Sequence, residues 1–447
     1  MKLQKRVFLL TACSLFWSIR MSQGAGADDR PSTLFLDLPT AVERALEDNP
    51  ALRAKRQALG SAHGRVQQAE LLFQDNPRLS VDVDYRHRRF ALPTGKSGVD
   101  TEVRLLQEVE IAGQRGYRWE AAAKNLAQAE WSIVDAERLL RLEVTQAFYD
   151  LMASQEKIAA QRQLLTTQED LLQAGLERFA RGDISVLELD TLRLDRDRAR
   201  KDLSNREQEW IGIEQQLRSL LGLEGENTLS AVGNLVDVVA QQAERKTPPP
   251  LGELAGCALE TRPDLKAAHL TLEGREAELR LAQARRTPNI SLGPLYKLDN
   301  EDQVIGGAIA VPLPLFNRNQ GEITTALANL SVARTELEAR RLAVRQEVAT
   351  AYTRVRLAEE RLAPYEKTYP DNLTQSASFT RKAYETGEIS IFEFSVAQDR
   401  VAQARFLYMD AILAYLQATA ELDARLAFAC PARAESETSR RGKQNGH

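Results

Sequence analysis

Residues 181–189 read Arg181-Gly182-Asp183-Ile184-Ser185-Val186-Leu187-Glu188-Leu189, and residues 386–394 read Thr386-Gly387-Glu388-Ile389-Ser390-Ile391-Phe392-Glu393-Phe394. The two stretches stand 205 residues apart in a chain of 447. The echo extends outward from them. Asn49-Pro50-Ala51-Leu52 answers Arg262-Pro263-Asp264-Leu265, and Asn76-Pro77-Arg78-Leu79-Ser80 answers Thr287-Pro288-Asn289-Ile290-Ser291. Glu143-Val144-Thr145-Gln146-Ala147-Phe148 answers Glu347-Val348-Ala349-Thr350-Ala351-Tyr352. Solenoid units run roughly 20–50 residues, so this is one architectural half used twice.

The segments leading into and out of the echoed turns are helical by pattern. Val144, Leu151, Ile158, Leu165, Leu172 and Phe179 recur at seven-residue spacing, and no proline lies between Gln114 and Arg181. At about 1.5 Å per residue such a helix reaches on the order of 100 Å. A second seam, Leu189, Leu192, Arg196, Ala199, Leu203, Arg206, Trp210, Ile213, Leu217 and Leu220, alternates by threes and fours. Sustained heptads mean coiled coil, and the arginines predict a seam that is not wholly dry. Gly182 and Gly387 then sit at turns between antiparallel helices, where a left-handed residue is wanted. The helix hairpins are placed at 114–221 and 318–426, the second with Pro364 and Pro370 inside it, each expected to kink or loosen a turn.

Between the helices lie alternating segments at 78–86, 99–111, 289–298 and 304–313. In the first two, one face is apolar and the other carries Asp82, Asp84, Asp100, Glu102, Glu108 and Glu110, with Arg86 and Arg104. Each spans about the 9–11 residues a membrane strand needs. Four strands cannot close a barrel, and an open edge cannot face lipid. Known barrels start at about eight strands, so strands must be pooled, and three chains supply twelve.

Residues 1–27 read as a signal peptide, with Lys2, Lys5 and Arg6 before an apolar run and Ala25-Gly26-Ala27 at its end. Leu10-Thr11-Ala12-Cys13 only superficially resembles a lipoprotein box, because the apolar run before it is short. Beyond residue 27, 55 basic residues face 63 acidic ones, a net charge of −8 that argues against nucleic acid. Cys257 and Cys430 are the two cysteines left, free to pair in an oxidising compartment; the plainer reading is two isolated small apolar residues. The histidines, His63, His87, His269 and His447, show no metal-ligand spacing. No phosphate loop, nucleophile elbow or histidine cluster is present. Pro248-Pro249-Pro250 ends a linker placed at 236–250, between halves at 28–235 and 251–430, and residues 431–447 read as a polar disordered tail.

Three motifs carry a resemblance over nearly all of the chain after residue 27. Residues 36–52, beginning Leu36-Asp37-Leu38-Pro39 and ending Asn49-Pro50-Ala51-Leu52, form an opening motif. The two Gly-x-Ile-Ser turns follow it in each half, and Val311-Pro312-Leu313-Pro314-Leu315-Phe316-Asn317-Arg318-Asn319-Gln320-Gly321 forms a strand-to-helix return. In order and spacing they resemble the TolC-like outer-membrane factor family. Glu110-Ile111-Ala112-Gly113-Gln114-Arg115-Gly116 is similar to its CzcC branch, which serves cobalt, zinc and cadmium efflux; that branch commonly has two glycines and a lysine where this chain has Ala112, Gly113 and Gln114.

The resemblance implies a mainly α fold with a small β part. Long antiparallel coiled-coil helices and four membrane strands per chain build a trimer, its 12-stranded barrel continuous with a helical periplasmic tunnel. It implies a periplasmic adaptor, or membrane fusion protein, an inner-membrane pump of the RND type and outer-membrane lipid as partners, with no cofactor and no chemistry. Gly182, Ser185, Glu188, Gly387, Ser390 and Glu393 match the tip turns, where adaptor docking and gating are expected. The bland account of the same residues is a glycine turn followed by a serine cap. Asp183 and Glu388 are candidates for an acidic ring, or simply complement a helix dipole. The six acidic strand residues are expected to bias a wide pore toward cations. The reading is an outer-membrane channel of a tripartite efflux system for divalent metal cations. The same channel for drugs, dyes or a secreted polypeptide, and a periplasmic coiled-coil scaffold without a pore, remain the alternatives.

Overall fold

The computed structural model describes residues 33–86, 98–225, 227–243, 249–299, 302–365, 369–428 and 430. The first half runs β1 (Leu34–Leu36), α1 (Leu38–Asp48), α2 (Pro50–Glu70), β2 (Arg78–Arg86), β3 (Gly98–Val109), α3 (Gln114–Arg181) and α4 (Val186–Leu220). β4 (Leu229–Ala231) and α5 (Leu235–Ala243) connect it to the second. There α6 (Leu251–Thr261), α7 (Pro263–Ala284), β5 (Ile290–Asp299), β6 (Asp302–Ala310), α8 (Gln320–Leu362), α9 (Tyr369–Glu385) and α10 (Ile391–Arg425) repeat the order. The expected signal segment 1–27, Cys13, His87, the Pro93 and Gly95 positions, and residues 431–447 with His447 lie outside the described residues.

The helix pattern is realised most directly in α3, a single helix of 68 residues. Its burial corrects the seven-residue apolar line. Val144 and Leu151 are fully buried, but Phe179 is 40% exposed. Toward the turn, the buried line is instead Ala147, Ser154, Gln161, Gln168 and Gly175. This small and polar line also has heptad spacing, and it lets α4 approach closely. Gln161 donates to the Ala199 carbonyl at 3.0 Å, and a Cβ on Gly175 would lie 2.5 Å from Leu192 Cδ1. The core sits midway along the bundle, where Leu36, Val144, Phe148, Leu151, Leu217, Val344, Val348, Ile412 and Leu416 converge.

In the second half the incoming helix is not continuous. α8 ends at Leu362, a short 3-10 turn covers Ala363–Tyr365, and α9 begins at Tyr369. The prolines at 364 and 370 lack the N–H that a helix interior needs. The expected linker at 236–250 is also corrected, because α5 occupies much of it, capped by Asn234, whose Oδ1 accepts from Asp237 N at 2.8 Å.

Four strands form one antiparallel sheet in the order β2-β3-β5-β6. The strand at 99–111 ends at Val109, and those expected at 289–298 and 304–313 lie at 290–299 and 302–310. Val311 and Leu313 fall outside β6 because Pro312 and Pro314 cannot donate to a ladder. Strand register places Leu79, Val81, Val83 and Tyr85 opposite Leu105, Val103, Thr101 and Val99. Tyr296 links this face across to Val103 and Ile305. Most of the face is exposed, Ile305 to 83% and Ile309 to 77%. β2 and β6 are the two edges within one chain, and closure of a barrel requires strands from other copies.

Gly293 tests this sheet. A Cβ there would lie 1.8 Å from the Leu105 carbonyl oxygen on the neighbouring strand. Overpacking of this kind costs about 1–3 kcal/mol when side chains can yield, and here the obstacle is backbone. Gly293→Ala is expected to cut SDS-resistant outer-membrane trimers by more than about half. Gly306→Ala, whose nearest neighbour is Leu295 Cδ2 at 3.9 Å, should leave them unchanged on the same semi-native gel.

Candidate functional site

The two hairpin turns are built by the same local rules. α3 ends on Gly182 at φ +81°, and the helix before α10 ends at Gly387 at φ +77°. Their neighbours close the last turn: Asp183 N donates to Arg178 O at 2.9 Å and Glu388 N to Ala383 O at 2.8 Å. Such αL ends favour glycine, which has no Cβ to clash. Ser185 then caps α4, its Oγ accepting from Glu188 N at 3.2 Å while Ser185 N donates to Glu188 Oε2 at 2.7 Å. Ser390 and Glu393 repeat this capping box at 3.2 and 2.8 Å. The backbone N–H of Ser185 holds the Glu188 carboxyl below its ordinary range, and that of Ser390 does the same to Glu393.

All six tip residues named from the sequence are therefore turn builders. What projects beyond them is apolar and was not singled out by sequence. Leu187 is 78% exposed and Val186 59%. Phe392 is also exposed, whereas Ile391, the counterpart of Val186, is buried against Leu171 and Leu192. The two tips thus pack together through one side of the second, with Tyr384 stacked on Phe394 at 4.8 Å and Arg178 over the Tyr384 ring. Ser395 joins the hairpins a turn further in, its Oγ 3.0 Å from Gln168 Oε1 and 2.8 Å from Asp195 Oδ2. The signal available in sequence was the apolar pair directly after each capping serine. Asp183 is held by Arg181 at 3.1 Å, within its own turn.

The strand alternation places Asp82, Asp84, Asp100, Glu102 and Glu108 on one face of the sheet. Glu110 lies past the end of β3 and pairs with Arg118, so it leaves the strand-face group. Glu108 accepts from Asn289 Nδ2 at 2.8 Å, and Asn289 is also bonded by the buried Gln114. Arg104 pairs with Glu102 and lies 3.9 Å from Asp82. Strand register adds two residues. Asp84 stands opposite Asp100, Asp100 opposite Asp299, and Asp299 opposite Asp302. Every strand contributes one aspartate to this row at the far end of the sheet from the helices. Like charges directly opposite are destabilising, so fold stability does not account for the row. Among the described residues no His, Cys, Asp and Glu group is arranged to hold a metal ion, and none of the helices is long and apolar enough to cross a membrane. His269 does have an acidic neighbour at i+4, Glu273 at 2.9 Å, correcting the sequence reading, but His269 is exposed and the half-buried Glu273 also pairs with Lys124.

The family description "Outer membrane efflux protein" matches residues 41–223 and 254–427, both repeats and most of the chain. The chain belongs to the outer membrane efflux protein family. Its relatives include the cobalt-zinc-cadmium resistance protein CzcC of Cupriavidus metallidurans, 25% identical over 396 residues that cover 87% of this chain and 89% of the relative. Among solved structures, CusC superposes with a TM-score of 0.71 at 20% identity, covering 88% of this chain and 93% of the other. The CmeC outer membrane channel of Campylobacter jejuni superposes at 0.68 and 16% identity, covering 91% and 88%. Outer membrane efflux proteins are channels and not enzymes. They are trimers that extend from the outer membrane into the periplasm and work with an adaptor and an inner-membrane pump.

Proposed function

We propose that this efflux protein is the outer-membrane exit duct for divalent metal cations of the cobalt, zinc and cadmium type. Three copies pool twelve strands into one barrel, joined below to a helical tunnel. The observation that carries the cation reading is the row Asp84, Asp100, Asp299 and Asp302, one carboxylate per strand. In the pooled barrel these carboxylates ring the outer mouth, and a charge-lined opening concentrates counter-ions. The relative with a cobalt-zinc-cadmium resistance name supports the choice of cargo. Soft donors are scarce on the described surface: Met152 and Met409 are buried, and Cys257 and Cys430 are joined to each other. Oxygen-rich surfaces suit harder divalent ions better than soft monovalent ones.

The tips are proposed as the adaptor contact. Gly182, Ser185 and Glu188, with Gly387, Ser390 and Glu393, hold the turns, while Val186, Leu187 and Phe392 supply the apolar surface.

Planar-bilayer recordings test the pore reading. The purified trimer is expected to conduct, with a reversal potential on the cation side in a salt gradient. Substituting Asn for Asp84, Asp100, Asp299 and Asp302 should keep conductance while lowering the cation-over-anion permeability ratio at least about threefold. An unchanged ratio removes the aspartate row from selectivity. Absence of any conductance favours the scaffold alternative.

A further inference from the structure

Beyond residue 27 the chain has two cysteines, and the structure joins them: Cys257 of α6 to Cys430 just past α10, with Cα atoms 6.1 Å apart. They are 173 residues apart in sequence. The bond therefore encloses α7, both strands of the second half and its entire helix hairpin in one covalent loop. Cys430 reaches α6 only because the chain turns back at the end of α10. Ala427 and Phe428 adopt φ +56° and +54°, and Phe428 N donates to Asp423 O at 2.9 Å. Thr261 Oγ lies 3.5 Å from Cys430 Sγ, and Cys430 is 7% exposed. In the folded chain the two sulfurs thus meet where the end of α10 turns back toward α6.

We propose that this bond is installed by a periplasmic thiol oxidase, an enzyme with a strongly oxidising disulfide at an exposed site, and that Cys257 is the residue it captures first. The proposal rests on the outer-membrane reading only in placing the chain in the periplasm on its way. The Cys257 thiolate attacks the oxidase disulfide, forming a mixed disulfide and releasing one oxidase thiolate. The Cys430 thiolate then attacks Cys257 Sγ and displaces the second oxidase thiolate. The two cysteines lose two protons and two electrons, and the oxidase disulfide takes up the electrons as a dithiol. Cys257 precedes Cys430 in the order of export and has no other cysteine to react with in between, so its mixed disulfide persists until Cys430 arrives. Two cysteines allow one pairing, so a disulfide isomerase has no incorrect bond to correct.

The full chain is tested in cells lacking the oxidase and in cells lacking the isomerase, by alkylation with a maleimide-polymer before reduction. Wild-type and isomerase-deficient cells should show no mass shift, and oxidase-deficient cells a two-adduct shift in most of the chain. A trapping oxidase lacking its second active-site cysteine should be found linked to Cys257 by peptide mapping. Trimer amount should fall severalfold without the oxidase for the natural chain. The Cys257→Ser, Cys430→Ser double variant should yield the same amount with and without it. Complete oxidation without the oxidase, capture mainly through Cys430, or equal sensitivity of the double variant overturns the proposal. None of these readouts depends on which solute the channel exports.

Discussion

Replacing Gly182 and Gly387 together by valine is expected to abolish resistance to the exported solute while outer-membrane trimers stay at normal abundance. Both glycines hold positive φ, +81° and +77°. A β-branched residue in that region costs at least about 1–2 kcal/mol of backbone strain. A Cβ at either position meets nothing within 4 Å, so the penalty is local conformation and not collision. Relief requires the turn to rotate, which breaks the Ser185 and Ser390 capping boxes and re-aims Leu187 and Phe392. The sheet, far away along the 68-residue α3, is untouched. Asparagine tolerates the left-handed region, so Gly182→Asn with Gly387→Asn should retain most resistance. Drug- or metal-susceptibility assays with adaptor crosslinking read the result. Full resistance and full crosslinking in the valine pair would show that these turns do no more than reverse the chain.

The second large effect is expected at Arg262. Its side chain is completely buried, paired with Asp264 at 2.7 Å and Glu347 at 2.8 Å. Arg340 also pairs with Asp264, and Arg425 approaches Glu347 at 3.4 Å, so the cluster ties the α6–α7 joint to α8 and α10. Removing one partner of a buried pair costs about 3–5 kcal/mol, because the other charge is left stranded. Arg262→Ala should therefore lower the thermal midpoint of the trimer sharply. Arg262→Met combined with Asp264→Asn and Glu347→Gln should recover more than half of the loss. Burial opposes the charge on Asp264, but the Arg262 and Arg340 guanidiniums outweigh it and hold its carboxyl at about 2. A depressed carboxylate pKa adds stability that is present above its ordinary value of 3.8 and disappears as pH falls toward about 2. Acid titration of the midpoint should show that loss in the natural chain and not in the triple variant.

The corresponding joint of the first half is made differently. Asn49 precedes Pro50 as Arg262 precedes Pro263, yet it closes the break with its amide: Oδ1 accepts from Leu52 N at 3.0 Å and Nδ2 donates to Leu220 O at 2.9 Å. The echo of the two sequences was legible, because prolines and glycines mark joints by backbone geometry alone. How each joint is satisfied was not, because Glu347 and Leu220 are distant in sequence. The same limit explains β1 and β4, three residues each, whose parallel pairing of Leu34 with Leu229 leaves no periodic trace. It also explains the Cys257–Cys430 bond, for which sequence left both a pairing and two isolated apolar residues open, because the two positions are 173 residues apart. α3 was legible to its end residues because a proline-free heptad run bounded by glycines admits one interpretation. The aspartate row was half visible: strand alternation put Asp84 and Asp100 on one face, but only register adds Asp299 and Asp302 to it. At the tips, local rules identified the turn and its caps, and missed the exposed apolar side chains, whose status depends on how the second hairpin leans on the first.

That lean changes character along its length. Near the middle of the bundle the hairpins meet through oil: Phe148 and Leu151 against Ile412 and Leu416. Toward the tips the contact passes to Lys157 with Asp410, then to Gln168, Asp195 and Ser395, before a last knot of Leu171, Leu192, Ile391 and Phe394. Water can replace polar contacts at little net free energy, but it cannot replace the apolar ones. The two hairpins therefore form a seam fastened twice, at mid-height and again at the tip, with an easily wetted polar stretch between. Parting it from the tip upward must first break that apolar knot; the polar stretch behind it then takes up water at little cost, and the opening halts where the solvent meets the hydrocarbon at mid-height.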